Sequence, residues 1–405
     1  MTSAATPPDR LHGLDALRAG ALLLGVVLHA SLSFFPQPAW IVADDSRSVG
    51  AAVLFFAIHL FRMTAFFLIS GLFAHMMLAR KGWTGFARDR LVRIAGPLAA
   101  FWLPVMAGIV TALVWNAHAN GLVTPGAPPP PPPSYDWTNF PLTHLWFLWV
   151  LLLFYAAALL LRAPFAALDR GGGWGRLVDR ITGVLVGPWT PLLLAAPLAL
   201  ALWLDPAWIA FFAVPTPDEG LVPDTAALVG FGLAFGLGFL IDRRRELLDR
   251  IAAWSPLFLA LAGVSGFAAW SLAGGPHLAP MVEPTADKAL AAAVTALAVY
   301  ASALAAVGVC LRFLSGRSPV RRYLADASYW IYILHLPLVM LAQVWVQDWP
   351  GPWWAKLAGV SAGVFAACLV TYELLVRHSF LGRFLNGRRV PWRRAPQAAA
   401  AVPAE

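Results

Sequence analysis

The sequence predicts an all-α, polytopic integral membrane protein of about ten transmembrane helices, with both termini on the cytoplasmic side. Three observations predict it. Of 405 residues, 60% are hydrophobic and only 12% are charged, where soluble domains carry about 25% charged residues. Mean hydropathy is +0.69. The apolar residues fall in runs near the ~20 that a helix needs to cross the hydrocarbon core. Finally, the basic residues gather on one side of the topology those runs imply.

The runs, in order, are 13–35, 60–79, 94–116, 144–163, 182–204, 225–241, 253–274, 288–311, 326–347 and 354–376. The opening MTSAATPPDRLH shows no cleavage site after a short apolar core, so the first run is expected to stay in the mature protein. The stretch 49–79 is too long for one straight crossing, so a short surface helix leading into a span is expected. The loop at 117–143 holds six consecutive prolines, Pro128 to Pro133, which favour a stiff polyproline spacer. Trp115, Trp146, Trp203, Trp353 and Trp354 lie near run ends and read as interface anchors, with stacking on a sugar as the alternative. GLAFGLG at 232–238 reads as small-residue helix packing. Cys310 and Cys368 sit in apolar runs and read as small buried hydrophobes. One domain is expected over 1–380, followed by a basic, disordered cytoplasmic tail at 381–405.

With the N-terminus inside, 25 of the 29 Lys and Arg fall on the inner side. Only Arg47, Arg62, Lys288 and Lys356 fall outside, while acidic residues divide almost evenly. That asymmetry places both termini in the cytoplasm. The basic stretches track membrane topology and carry no nucleic-acid module, so no nucleic-acid partner is expected. No metal-ligand spacing or nucleotide-cradling loop is present, and no metal is expected.

An ionisable residue inside a spanning helix is costly and marks a functional candidate. His29 is the first. It lies about 21 Å along the helix axis from Asp15 and about 16 Å from Arg18 at ~1.5 Å per residue. A neutral imidazole there can serve as a general base on a hydroxyl; otherwise it packs against a neighbouring carbonyl. His335 sits mid-run in SYWIYILHLPLVM, two residues before Pro337, which frees a backbone carbonyl. His59 and Arg62 are spaced i, i+3 and share a helix face at the outer boundary. Arg62 suits an acyl carboxylate or a developing oxyanion, or a snorkelling role at headgroup level. His144 is a weaker candidate of the same kind. Arg90 and Arg93, also i, i+3, lie at the inner end of the third run, where two guanidinium forks suit phosphates. Asp15 and Arg18 form a further i, i+3 pair at the inner mouth of the first run. Glu373, a buried acid near the inner end of the last run, is expected to pair with an arginine. A proton-coupled transporter remains the alternative from another class, given buried histidines and a proline-broken helix. The absence of repeated halves argues against it.

These residues resemble the membrane-bound acyltransferase 3 superfamily, most closely its glucan biosynthesis protein C branch. The resemblance rests on LDALRAGALLLGVVLHA at 14–30, HLFRMTAFFLISGLF at 59–73 and RDRLVRIAGPL at 88–98. It extends through HLWFLW at 144–149, YLADASYWIYILHLPLV at 323–339, YELLVR at 372–377 and GRFLNGRR at 382–389. It implies a multi-pass bacterial inner-membrane enzyme. That enzyme moves an acyl group from cytoplasmic acyl-coenzyme A to carbohydrate hydroxyls on the periplasmic side. The donor is a substrate, succinyl-CoA or acetyl-CoA, and no tightly bound cofactor is implied. The expected acceptor is a periplasmic glucan, with lipopolysaccharide or another surface polysaccharide as the alternative. The resemblance assigns chemistry to His29, His335, His59 and Arg62, and the coenzyme A end to Arg90 and Arg93, with Arg18 and Asp15 nearby.

Overall fold

The computed structural model describes residues 12–123 and 134–387; the proline run and the far C-terminal tail lie outside them. Among the described residues there are helices and no strands. In chain order the helices are α1 (His12–Ser31), α2 (Val49–Arg90), α3 (Gly96–Ala119), α4 (Trp146–Leu168), α5 (Gly173–Leu185) and α6 (Thr190–Leu204). They continue as α7 (Thr225–Ile241), α8 (Leu247–Leu272), α9 (Ala286–Phe313), α10 (Pro319–Val346), α11 (Trp353–Thr371) and α12 (Phe380–Asn386).

Among the described residues, eight helical stretches are long and apolar enough to cross a membrane, and nine if the bent pair α5–α6 counts as one. One stretch, Val49–Ala119, runs 71 residues, far beyond the ~20 of a single crossing. It breaks at Gly82, with φ 66° and ψ 178°, a backbone shape that favours glycine. It therefore supplies two crossings, α2 and α3, which brings the number to the ten expected. Leucines such as Leu103, Leu160 and Leu200, with Phe267, point outward, as a lipid-facing surface requires.

Three expectations need correction. No surface helix precedes the second span. Ser48 accepts from the Gly50 amide and caps one unbroken helix running from Val49 to the Gly82 break. Nothing in AAVLFFAIHLFR interrupts it. The run 182–204 is not one helix either. Gly187 and Pro188 end α5 before α6 begins, and the two helices meet at 98°. α5 turns Leu177, Ile181 and Val184 outward, while Arg243 grips Asp179 at 2.6 Å on its other side. Finally, residues 381–386 of the expected tail are helical. α12 packs back on the fold through buried Leu385, and Asn386 donates to the Asp326 carbonyl at 2.9 Å.

Close helix approach holds the frame together. A Cβ at Gly71 would lie 1.9 Å from the Phe235 carbonyl oxygen, and one at Gly238 would lie 1.8 Å from that of Leu68. The GLAFGLG segment thus packs α7 backbone-to-backbone on α2. Gly238→Leu is expected to separate the two helices and lower stability by about 3 kcal/mol, at the upper end of core overpacking. Thermal unfolding in detergent would read this, and an unchanged midpoint would refute the close packing.

Candidate active site

Two cavities enter the bundle. One, of about 540 Å³, is lined by Asp15 and Arg18 of α1 and by Leu385 and Asn386 of α12. It therefore opens toward the face that carries both chain ends. The second, of about 370 Å³, is lined by His29, Trp40, His59, Arg62, His144 and His335. Leu22 and Tyr332 line both cavities, so these two side chains form the partition between them.

The first cavity is basic. Arg18, Arg80, Arg90, Arg93 and Arg245 line it. Arg90 and Arg93 flank a π-helical turn at Leu91–Ala95, yet both still face this space. Their guanidinium groups are not free forks. Asp89 pairs with Arg90, and its other oxygen lies 3.5 Å from Arg93 Nε and 2.5 Å from Lys81 Nζ. Arg90 also stacks over Phe86 and Tyr155. Asp89 was not singled out from the sequence. The signal was an acid one residue before the first arginine and four before the second. Asp15 lies 3.5 Å from Arg18, the ion pair its spacing suggested. Glu373 pairs with Arg377 at 2.8 Å as expected, but it is partly exposed and also contacts Tyr323 and His378. Both cysteines are free thiols; Cys368 is fully buried and Cys310 is partly so.

The second cavity gathers the histidines from distant parts of the chain. His29 is in the last turn of α1. Its ring centroid is 5.3 Å from that of His335 on α10, and the His335 ring is 4.9 Å from His144 at the start of α4. Gly25 lies one helical turn before His29, on the same face. A Cβ there would meet Arg62 Nη1 at 2.5 Å and His335 Nε2 at 3.5 Å. The missing side chain lets α1 sit against both groups.

Hydrogen bonds separate the roles of these rings. His144 Nε2 donates to the Ile333 carbonyl at 3.1 Å. That carbonyl is four residues before Pro337, which has no N–H to offer it. His144 thus fills the gap left by the proline. Tyr332 closes the clasp by donating its hydroxyl to the His144 carbonyl at 2.6 Å. His335 Nδ1 donates to the Tyr332 carbonyl at 2.7 Å. In the neutral ring Nε2 then carries the lone pair, and it is buried without a partner. His29 Nδ1 is also buried and unpartnered. His59 is stacked on Phe55, with ring centroids 5.2 Å apart; it lines the cavity but is held by that ring.

Arg62 is the most unusual group. It lies in this cavity with Nε buried and unpartnered. Among the described residues, no carboxylate makes an ion pair with it. A guanidinium taken from water without an anion is strongly unfavourable. It is the arrangement expected where a ligand brings the negative charge.

Trp40 and Gln343 were not foreseen. Trp40 Nε1 donates to Gln343 Oε1 at 2.9 Å, and Gln343 Nε2 donates to the carbonyls of His29 and Ala30 at 3.0 and 3.3 Å. The partners are about three hundred positions apart in sequence, so no local pattern joins them.

Two cavities of different lining meet at one partition, with histidines, Arg62 and the carboxylates of Asp205, Asp218 and Asp224 on one side and clustered arginines on the other. The acyltransferase domain family model of acyltransferase 3 matches residues 11–373, nearly the whole chain. The chain belongs to the acyltransferase 3 family. Curated relatives include glucans biosynthesis protein C of Escherichia coli (strain K12) and of Shigella dysenteriae serotype 1 (strain Sd197). Each is 29% identical over 146 residues, which is 36% of this chain and 37% of the relative. The match thus spans little more than a third of those proteins. No solved structure matches the chain. The chain thus carries an acyltransferase domain on a frame of helices long and apolar enough to cross a membrane.

Proposed function

We propose that this acyltransferase carries a succinyl group from cytoplasmic succinyl-CoA to a hydroxyl of a periplasmic glucan, across the bacterial inner membrane. The observation that carries the reading is Arg62, a partly buried guanidinium whose Nε is unpartnered and which pairs with no carboxylate among the described residues, beside two unpartnered histidine nitrogens. The positive-inside distribution puts the arginine-lined cavity on the cytoplasmic side. The coenzyme A phosphates dock there against Arg90, Arg93 and Arg18, and Asp89 releases the first two as they bind. The pantetheine arm passes Leu22 and Tyr332, and brings the thioester to His29.

The chemistry then balances within the second cavity. His29 takes the proton from the acceptor hydroxyl. The hydroxyl oxygen attacks the thioester carbonyl carbon, and the carbonyl oxygen becomes an oxyanion. The C–S bond breaks, the ester forms, and coenzyme A leaves as a thiol after taking the proton from His29. Both His335 and Arg62 lie beside the reacting groups. The free Nε2 of His335 is an acceptor, so it suits the incoming hydroxyl, and the electrostatic role falls to Arg62.

Purified protein in liposomes, given labelled succinyl-CoA or acetyl-CoA and a glucan, tests the reading. Label on the glucan from succinyl-CoA is the expected result. Label from acetyl-CoA alone would replace succinyl with acetyl and reopen lipopolysaccharide as the acceptor. Glucan movement without label would indicate a carrier. Arg90→Ala and Arg93→Ala are expected to raise KM for succinyl-CoA about 10-fold each, the size of one charge-assisted contact. KM for glucan should stay constant. An unchanged donor KM in both variants would leave these arginines with a topological role only.

A further inference from the structure

The acceptor side of the second cavity carries one aromatic face in an unusual setting. Two tryptophans line the cavity, Trp40 and Trp146. The Trp146 ring stacks on Phe231, with centroids 5.4 Å apart and planes at 29°, so that face is covered. Trp40 stands beside His29, with ring centroids 6.1 Å apart. Its polar edge is tied off by Gln343, and the ring lines the cavity.

The loop that bears Trp40 is held rigidly. Lys356 Nζ donates to both carboxylate oxygens of Asp44, at 3.0 and 2.8 Å, and to the Gln347 carbonyl at 3.0 Å. Asp44 and Lys356 are both buried. The Asp44 amide donates to the Ser33 carbonyl and the Ser48 amide to that of Phe34. A loop pinned to α10, α11 and the end of α1 presents Trp40 in one place.

Gln343 does two tasks at once, and its amide orientation is unambiguous. An indole N–H only donates, so the amide oxygen faces Trp40. Main-chain carbonyls only accept, so the NH2 faces His29 and Ala30. These carbonyls belong to the last turn of α1, where the α-helical ladder ends. Gln343 is 2% exposed, so water does not substitute for it.

We propose that Trp40 is the platform on which the acceptor sugar ring lies, and that Gln343 is a positioning residue locking this platform to the His29 turn. A pyranose ring presents C–H groups on its face, and an indole offers a broad apolar face with a negative quadrupole to meet them. The shared amide sets the distance between platform and base, so a hydroxyl of the bound ring arrives where His29 takes its proton. This rests on the glucan acceptor reading above.

The test measures KM for a glucan oligosaccharide, KM for succinyl-CoA and kcat in the full-length protein. Trp40→Leu keeps apolar bulk but loses the aromatic face. It is expected to raise glucan KM about tenfold, the worth of one aromatic contact, with succinyl-CoA KM unchanged. Trp40→Phe keeps a face, so its glucan KM stays near wild type. Gln343→Leu is expected to lower kcat about tenfold with both KM values kept, because a base out of line slows chemistry rather than binding. Combining Trp40→Phe with Gln343→Leu adds no further loss in kcat, since the one hydrogen bond that Trp40→Phe removes is already among the three lost in Gln343→Leu. A glucan KM unaltered in Trp40→Leu, or equal losses in the Leu and Phe variants, overturns the platform. Additive kcat losses overturn the lock. A wild type that transfers nothing to glucan overturns the parent reading, and is seen before any variant is made.

Discussion

His29→Ala is expected to cut acyl transfer by about 10²–10⁴-fold, the range that a positioned base supplies. That range equals roughly 3–5 kcal/mol of barrier. Donor affinity should hardly move, because His29 lines the second cavity and not the arginine-lined one. The variant should also insert and fold, since His29 Nδ1 has no hydrogen-bond partner among the described residues and Gln343 holds the His29 backbone. Rates for labelled succinyl transfer, with succinyl-CoA binding measured separately, check both halves. Activity near wild type would remove His29 from the chemistry and direct attention to His335, whose Nε2 is the other unpartnered nitrogen.

Arg62→Met is expected to abolish succinyl transfer and, at the same time, to raise the melting temperature of the unliganded protein. The two effects share one cause. The guanidinium lies in the cavity with no carboxylate pairing it among the described residues, so the empty fold bears its desolvation cost. Removing it relieves that cost, the trade between stability and activity often found at functional sites. The loss in rate should reach about 10²–10³-fold, as for removal of an oxyanion donor. Arg62→Gln sorts the two electrostatic roles. If Arg62 grips the acyl carboxylate, succinyl transfer falls and acetyl transfer is kept. If it stabilises the oxyanion, both fall together. A lower melting temperature in Arg62→Met would show that the guanidinium has a stabilising anion in the resting protein.

The two cavities also define what transfer across a membrane requires of a fold. A donor with phosphates needs fixed positive charge and water, which the arginine-lined cavity offers at one face. Ester formation needs a base and a dry electrostatic partner, which the second cavity offers. Tyr332 and Leu22 line both cavities, so in the proposed reaction the thioester meets the acceptor at the partition.

How much of this was legible along the chain depends on the range of each interaction. Hydropathy alone marked the crossings, because burying a helix in lipid is a property of about twenty consecutive residues. It also singled out His29, Arg62 and His335, because a polar group in an apolar run is anomalous without any knowledge of its neighbours. Helix spacing put His59 with Arg62, and Arg90 with Arg93. Pro337 flagged a freed carbonyl, but not that His144, from α4, would fill it. The unbroken α2, the bend between α5 and α6, and the helix over 381–386 depended on caps and packing that hydropathy averages away. Asp89 was hidden among arginines whose side chains it holds.

By itself, then, the sequence determined the membrane class, the crossings, the basic asymmetry and the isolated polar residues, all set by local composition and helical period. Only the tertiary structure decided which of those residues meet. It brought α1, α2, α4 and α10 around one cavity, left Arg62 there without a carboxylate ion pair among the described residues, and joined Trp40 to His29 through Gln343. The physical reason is that hydrogen bonds and desolvation act over a few ångströms in space, between groups that can lie hundreds of positions apart along the chain.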